Sequence, residues 1–420
     1  MKPNETDWLI NYYHKRIKTS SFKDSALKEE KVEWSLYKVI QSTGLMYGHS
    51  IHTDEVELDE SWEEKDRIKV LFLDSLFRVY ILFSNQIKDS SNVSEEEFKT
   101  FCKDVNSFYK VIYPDVVPRK GWFSFRKKKV TEVTEGIIEN RVNLGNTWHE
   151  SFWTSFFHNS LLYLDVIYFS IFYSRNEKLK VIKKAKEETC ITILEMIASA
   201  ANADEIIEEE ERELFGYFFQ SAQISKANQR DVKNLLGTNL KLDDINFTGV
   251  RSWLLKKYLM EVAILTIWSD KNVNKHEHDF LDSLYKKLDL SKEGKEQSFL
   301  AVESFVLEHQ DNVHYLKSED NFQIVKDRFV SGFSNVLNSN KDKIGTEIQE
   351  SKELVSLLMK SKSEELTDDE KEKVRLQLMD VLKTIPLFVI IALPGTFLTL
   401  PLLLKLLPKS AFPTAFQNES

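Results

Sequence analysis

The feature that most constrains this chain is an uncharged apolar run at residues 385–404, in which thirteen of the twenty side chains are Leu, Ile, Val or Phe. A helix of about 20 apolar residues matches the roughly 30 Å hydrocarbon core of a bilayer. Prolines recur in and just after this run at spacings of eight, seven and seven residues: Pro386, Pro394, Pro401 and Pro408. Each proline removes a backbone donor and bends the helix, so neighbouring groups must satisfy the freed carbonyls. The pattern predicts a proline-kinked membrane segment over residues 384–416.

Residues 382–416 resemble a known family. They read LKTIPLFVIIALPGTFLTLPLLLKLLPKSAFPTAF. Pro386, Pro394, Pro401, Lys405 and Pro408 fall at the spacings of the leucine-zipper/EF-hand transmembrane (Letm) family. The resemblance implies a membrane protein, because eukaryotic members lie in the mitochondrial inner membrane and are implicated in cation/proton exchange. Related bacterial proteins are described as biofilm-associated. Phe397, however, stands where the eukaryotic members carry an intramembrane Glu. Since a buried carboxylate is the kind of group that handles cations or protons inside a bilayer, Phe397 argues against transport.

The rest of the chain is predicted to be all-α. No proline lies between Pro118 and Pro386, the 420 residues include only 12 glycines, and apolar residues recur at helical spacing. The charged content of 29% and the mean hydropathy of −0.35 describe a soluble body that carries one exceptional segment. Four parts are expected: a helical N-terminal domain at 1–175, a duplicated helical module at 183–305, a long linker helix at 306–383 and the membrane segment at 384–416.

The most apolar stretch of the N-terminal domain is residues 151–173, which contains nine aromatic side chains. Such a stretch fits either a second membrane span or a buried core helix. Ser151, Ser155, His158 and Asp165 recur at helical spacing and form a polar stripe along it. Because a polar stripe is typical of an amphipathic or largely buried helix, we predict a core helix here.

Residues 183–305 contain an internal duplication. The sequence ADEIIEEEERELFGYFFQSAQIS aligns with SDKNVNKHEHDFLDSLYKKLDLS at a constant shift of 66 residues. The matched pairs include Asp204 with Asp270, Ile207 with Val273, Glu211 with Glu277, Leu214 with Phe280, Phe218 with Leu284 and Ile224 with Leu290. Each copy is an apolar helix, an acidic turn and an amphipathic helix. The module resembles the tellurite-resistance TerB-like domain, although Glu205 and Lys271 replace the glycines of that domain's turns.

The two acidic turns offer candidate ligands for a divalent cation. Ca²⁺ and Mg²⁺ bind clustered carboxylate oxygens. The candidate ligands are Asp204, Glu208, Glu211, Asp270 and Glu277. The alternative is a solvated helix start, because acidic residues near a helix N-terminus are favoured by the macrodipole and neither turn has the twelve-residue EF-hand pattern. His276 and His278 lie two residues apart and point away from one another on a helix, so no transition-metal site is expected.

A basic and aromatic stretch, residues 118–129, is a candidate for contact with a lipid surface. Basic side chains attract anionic headgroups, and aromatic rings favour the membrane interface. The candidate residues are Arg119, Lys120, Trp122, Phe123, Phe125, Arg126, Lys127, Lys128 and Lys129. An ordinary exposed loop is an equally good interpretation of this composition.

A helix start precedes the membrane segment. Thr367 followed by Glu370 has the spacing of a capping box. The apolar residues Val374, Leu378 and Val381 continue the pattern at helical spacing. We expect one continuous helix to run from Thr367 into the membrane and to couple the soluble body to the bilayer.

These patterns favour a binding protein over an enzyme. The sequence has no phosphate-binding Gly loop, nucleophile elbow, metalloprotease helix or paired-Cys motif. The net charge of −9 argues against nucleic-acid binding. Cys102 and Cys190 form no motif, and the N-terminus has no apolar signal region, so the body is expected in a reducing compartment.

Two functions fit this sequence. The first is a non-enzymatic protein of the bacterial inner membrane, anchored at its C-terminus, whose cytoplasmic body binds protein partners or divalent cations. The second is a cation/proton exchanger or a subunit of an ion-transport complex. Because one span cannot enclose a path, transport would require the membrane segments of several copies to associate.

Overall fold

A computed structural model describes residues 2–19, 32–48, 61–84, 93–119, 128–143, 152–175, 177–202, 209–269, 275–385, 387 and 399–408. Every regular element in these ranges is helical, which confirms the all-α prediction. The chain divides into two compact units, unit 1 at residues 1–291 and unit 2 at residues 292–420.

The helices of unit 1 are α1 (Trp8–Thr19), α2 (Val32–Gln41), α3 (Glu64–Phe83), α4 (Glu95–Ile112), α5 (Val130–Val142), α6 (Phe152–Arg175), α7 (Leu179–Ala201), α8 (Glu209–Ser221), α9 (Lys226–Lys233), α10 (Trp253–Ser269) and α11 (Lys275–Lys287). Those of unit 2 are α12 (Lys292–Glu308), α13 (Glu319–Ser339), α14 (Lys341–Glu350), α15 (Lys352–Ser363), α16 (Asp368–Lys383) and α17 (Leu400–Leu406).

The core of unit 1 is built on α3, α6 and α10, which are buried along most of their length. Aromatic rings fill the space between α3, α4 and α6. The Phe77 and Phe101 ring centroids lie 5.2 Å apart, and those of Phe108 and Phe169 lie 5.4 Å apart in a T-shaped contact. Such pairs contribute about 0.5–1.5 kcal/mol beyond the area they bury. Helix α6, predicted from residues 151–173, is therefore a core helix of unit 1.

No helix in the described ranges combines the length and the apolar character needed to cross a bilayer. Pro386 and residues 388–398, which form most of the predicted membrane run, lie outside those ranges.

Helices from the predicted module at 183–305 pack against helices of the predicted N-terminal domain. The Tyr258 hydroxyl of α10 donates to the Ser160 carbonyl of α6 at 3.0 Å, and the Tyr37 hydroxyl of α2 donates to the Glu261 carboxylate of α10. The two predicted parts thus share unit 1. The boundary between the two compact units lies after Ser291, which is inside the predicted module. The sequence predicted a domain boundary at residues 175–183 instead.

The internal duplication is visible in the helix boundaries. α8 and α11 begin and end 66 residues apart, at Glu209–Ser221 and Lys275–Lys287. α9 and α12 also begin 66 residues apart, at Lys226 and Lys292. The two copies therefore share the positions of these helix starts, although α9 ends at Lys233 and α12 continues to Glu308.

The turn after each repeated helix has the same unusual backbone conformation. Gln223 and Asp289, again 66 residues apart, adopt left-handed φ values of 51° and 50°. This region of φ costs an L-residue other than Gly roughly 1–2 kcal/mol. The repeat therefore preserves a strained turn as well as a pattern of apolar residues.

Unit 2 shows that the prediction of a long linker helix over 306–383 is wrong. The stretch forms separate helices, because the chain turns at Asn340, at Ser351 and again before Thr367. α15 and α16 lie side by side, with Lys360 Nζ 2.7 Å from Glu370 Oε1. The buried apolar residues of α13 to α16 include Phe329, Phe333, Leu337, Ile344, Ile348, Leu354, Leu358, Val374 and Leu378. The amphipathic pattern predicts helices here, and their apolar faces pack within a folded unit.

The capping box predicted at the start of α16 is confirmed, because the Thr367 hydroxyl accepts from the Glu370 amide and the Glu370 carboxylate accepts from the Thr367 amide. The continuous helix into the membrane segment is wrong, since α16 ends at Lys383 and the Thr384 carbonyl accepts from Lys343 Nζ at 2.6 Å. A proline at position 386 disfavours helical backbone at the residue before it, which accounts for this ending.

The paired turns make a stability prediction. Replacing Gln223 or Asp289 by Gly should each stabilise the protein by about 0.5–1 kcal/mol, because Gly adopts positive φ without steric cost. Gln220→Gly, an exposed position in the last turn of α8, should instead destabilise by about 1 kcal/mol. Thermal unfolding of the full-length variants measures all three. A loss of stability in both Gln223→Gly and Asp289→Gly would contradict the repeated turn geometry.

Candidate functional site

The candidate cation ligands are only partly covered by the structure. Asp204, Glu208 and Asp270 lie outside the described residues. Glu211 and Glu277 each occupy the third residue of a repeated helix, and Glu277 is buried whereas Glu211 is half-buried. This position near a helix N-terminus favours a carboxylate by itself. Within the described part of the chain, no three His, Cys, Asp or Glu side chains are grouped so that they could hold a metal ion.

The candidate lipid-contact stretch is described only at its ends. Arg119, Lys128 and Lys129 are exposed. Arg119 lies 3.8 Å from Asp115 and Lys129 lies 3.8 Å from Asp7, and exposed pairs of this kind contribute little to stability. The residues outside the described ranges are Lys120, Trp122, Phe123, Phe125, Arg126 and Lys127.

Three of the predicted membrane residues are described. Pro401 lies in the first turn of α17, where proline needs no backbone donor, and Lys405 lies exposed in its last turn. Pro408 follows the helix and is buried. The other three, Pro386, Pro394 and Phe397, lie outside the described residues.

Three carboxylates of unit 1 are completely buried and are paired with cations. Asp74 lies on α3, Asp165 on α6 and Glu261 on α10, and each is 0% exposed. An ionised carboxylate is costly to bury unless cations and hydrogen-bond donors surround it. The side chains around each acid therefore determine its charge state and which helices it joins.

Asp74 is held by two arginines and a tyrosine. Its Oδ1 accepts from Arg16 Nε at 2.8 Å and from the Tyr12 hydroxyl at 2.5 Å, and its Oδ2 accepts from Arg78 Nε at 2.5 Å. Burial raises the pKa of Asp74, but Arg16 and Arg78 outweigh burial and lower the pKa to about 2. These contacts fix α1 against α3.

Asp165 is the centre of the largest group, the Asp165 cluster, which comprises Tyr109, Tyr113, Arg141, Asp165 and Lys186. Arg141 Nε lies 2.7 Å and the Tyr109 hydroxyl 3.1 Å from Oδ2, while Lys186 Nζ lies 3.0 Å from Oδ1. Burial raises the pKa of Asp165, yet the two cations hold it below its usual value. The cluster joins α4, α5, α6 and α7.

Tyr113 contacts both cations of the Asp165 cluster. Lys186 Nζ donates to the Tyr113 hydroxyl at 2.5 Å, and the Arg141 guanidinium and Lys186 ammonium lie 4.7 Å and 4.5 Å from the centre of its ring. Such cation–π contacts offset part of the desolvation of the two cations. The nearby His158 is also buried, and burial together with the charge of Arg141 lowers its pKa to about 3, so it is neutral at neutral pH.

Glu261 is paired with Lys257 of its own helix. Its Oε1 accepts from the Tyr37 hydroxyl and lies 3.6 Å from Lys257 Nζ. Burial lowers the pKa of Lys257 to about 8 despite the opposing effect of Glu261. The Lys257 ammonium lies 5.1 Å from the centre of the Tyr37 ring and 5.9 Å from the Trp253 ring, and the contacts join α2 to α10.

These buried groups form connections between helices. Each acid is closed off from solvent and is bound by side chains from other helices or other turns. Sequence reasoning noticed Asp165 in its polar stripe but missed Asp74 and Glu261. The signal that could have found them is a single acid inside a strongly apolar stretch, VLFLDSLF at residues 70–77 and YLMEVAIL at residues 258–265.

No protein-family model, curated protein or solved structure matches the chain.

Proposed function

We propose that this chain is a non-enzymatic, Letm-related protein of the bacterial inner membrane, anchored through residues 384–416 with its body in the cytoplasm. Its TerB-like module at 183–305 binds protein partners or divalent cations. The membrane segments of several copies can associate through their regularly spaced prolines.

The observation that carries this proposal is the repeated helix–acidic turn–helix unit. α8 and α11 have boundaries 66 residues apart, and both follow turns rich in acidic or polar residues. A duplicated turn places two similar sets of oxygen ligands in one module, which suits Ca²⁺ or Mg²⁺ or a basic partner.

The buried polar groups of unit 1 are poorly placed for catalysis. The Asp165 cluster and the contacts of Asp74 and Glu261 are inaccessible to solvent, and a catalytic residue must reach its substrate. The exchanger is the second candidate and rests on the Letm resemblance. Between residues 385 and 404 the side chains include no titratable group, and Phe397 replaces the family's Glu, so proton coupling would need a group from elsewhere.

Deleting residues 388–420 should release the protein from membranes, because the deletion removes most of the apolar run while keeping the buried Ile385 and Leu387. Ile390→Arg in the full chain is the matched point change and should weaken insertion by roughly 3 kcal/mol. Membrane fractionation measures both. If the truncated protein still requires detergent, the anchor lies elsewhere and residues 385–404 do not hold the chain in the bilayer.

Divalent cations should raise the melting temperature of the full-length protein if the acidic turns bind them. A cation at ten times its Kd stabilises the folded state by about 1.4 kcal/mol. The double variant Asp204→Asn/Asp270→Asn should lose this gain, whereas Asp279→Asn, an exposed position on α11, should keep it. Calorimetric melts with and without millimolar Ca²⁺ or Mg²⁺ decide the matter. An unchanged melting temperature would show that the acidic turns do not bind these cations and are solvated helix starts. Binding of protein partners would then be the proposed function of the module.

A further inference from the structure

Another buried carboxylate, Glu303, lies in unit 2 and has fewer buried cations around it than Asp74 and Asp165 of unit 1. It lies on α12 and its side chain is 1% exposed. Its ion-pair partner is Arg328 Nη2 of α13, and the Arg328 side chain is 37% exposed. Glu303 Oε1 makes no hydrogen bond of good geometry within the described residues.

The cations around each acid explain why Glu303 differs. Asp74 has two buried arginines, and Asp165 has a buried arginine and a buried lysine. Glu303 has one arginine whose charge is partly hydrated and therefore partly screened. One half-exposed cation compensates less of the desolvation cost than two buried cations do.

α12 packs closely on α13 one turn away from the Glu303–Arg328 pair. A Cβ added to Gly332 of α13 would lie 3.0 Å from Leu300 Cδ2 of α12, so the two helices approach closely there. Gly332 is one turn from Arg328, and Leu300 is one turn from Glu303. Hydration of an ionised Glu303 therefore requires the helices to separate.

Arg328 is the charged group that acts on the Glu303 carboxylate. Burial raises the pKa of Glu303 to about 7, and Arg328 opposes that rise without cancelling it. Phe299 of α12 lies beneath the Arg328 guanidinium, with the ring centre 5.7 Å from Cζ, and supplies no charge.

We propose that Glu303 and Arg328 form a pH-responsive contact, in which ionisation of the buried Glu303 carboxylate weakens the packing of α12 on α13. Below the transition Glu303 is neutral and is buried at little cost. Above it the carboxylate is charged and depends on one partly solvated arginine. Unit 2 also contains residues 384–416, so acidification tightens the unit that carries the predicted membrane segment.

The direction of the effect follows from proton linkage. The pKa of Glu303 is higher in the packed state, about 7, than its value of 4.5 in an open chain. The packed state then binds more protons between these values, so the stability of the contact is greatest at low pH and is lost as the pH rises through 7.

Hydrogen exchange of α12 and α13 in the full-length protein tests this proposal. After correction for intrinsic exchange, the protection of peptides from these helices should fall about 30-fold between pH 5.5 and pH 8. Glu303→Gln, which imitates the protonated acid and should fold normally, should remove this dependence and keep high protection. Arg328→Gln should move the transition to higher pH.

The matched control is Glu296→Gln, the same chemical change at an exposed position of α12, which should behave as the unmodified protein does. The proposal is overturned if Glu303→Gln retains the pH dependence of the unmodified protein. It is equally overturned if protection in the unmodified protein is constant from pH 5.5 to pH 8.

Discussion

A buried carboxylate must be surrounded by cations and donors, and unit 1 depends on this requirement. Asp74, Asp165 and Glu261 lie on the three central helices. Each is satisfied only when particular helices occupy particular places around it. The hydrophobic effect drives the helices together but does not distinguish closely related arrangements. The charged contacts select one arrangement, because a shifted helix would leave a charge unpaired in the core.

This selection does not require that the ion pairs add stability. The desolvation of two charges roughly offsets their attraction in many buried pairs, whereas removing one partner costs about 3–5 kcal/mol. The tyrosines around these acids also help to bury a charge without leaving it unpaired. Tyr12, Tyr109 and Tyr37 donate hydroxyl groups to the three carboxylates while their rings remain in the apolar core. Among the described residues, Glu303 in unit 2 pairs with one half-exposed arginine and accepts from no tyrosine, and this difference is the basis of its proposed response to pH.

The local features of the fold could be predicted from the sequence. Helical spacing and the scarcity of proline indicated an all-α chain, Thr367 and Glu370 indicated a capping box, and the 66-residue repeat anticipated the matching α8 and α11. All of these depend on residues close together in the chain or on direct sequence similarity. The linker could not be read in the same way, because an amphipathic pattern shows which face of a helix is apolar but not what covers it.

Pairings between residues far apart in the chain could not be predicted, because the local sequence does not show which helices meet. Arg141 and Lys186 lie on either side of Asp165 in the chain, and nothing in their local sequence indicates that they meet. The division into units after Ser291 likewise arises from contacts between distant helices. The acidic turns, the basic stretch and the membrane run remain sequence-based predictions at Asp204, Asp270 and the other positions that lie outside the described residues.

The central claim, that buried charge pairing determines how the helices of unit 1 pack, is tested most directly by a double-mutant cycle on Asp165 and Arg141. Asp165→Asn, Arg141→Gln and the double variant are compared with the unmodified protein by urea unfolding. The account predicts that each single change costs about 3–5 kcal/mol and that the double variant costs less than their sum by at least about 2 kcal/mol. Costs that add to within about 0.5 kcal/mol would contradict it.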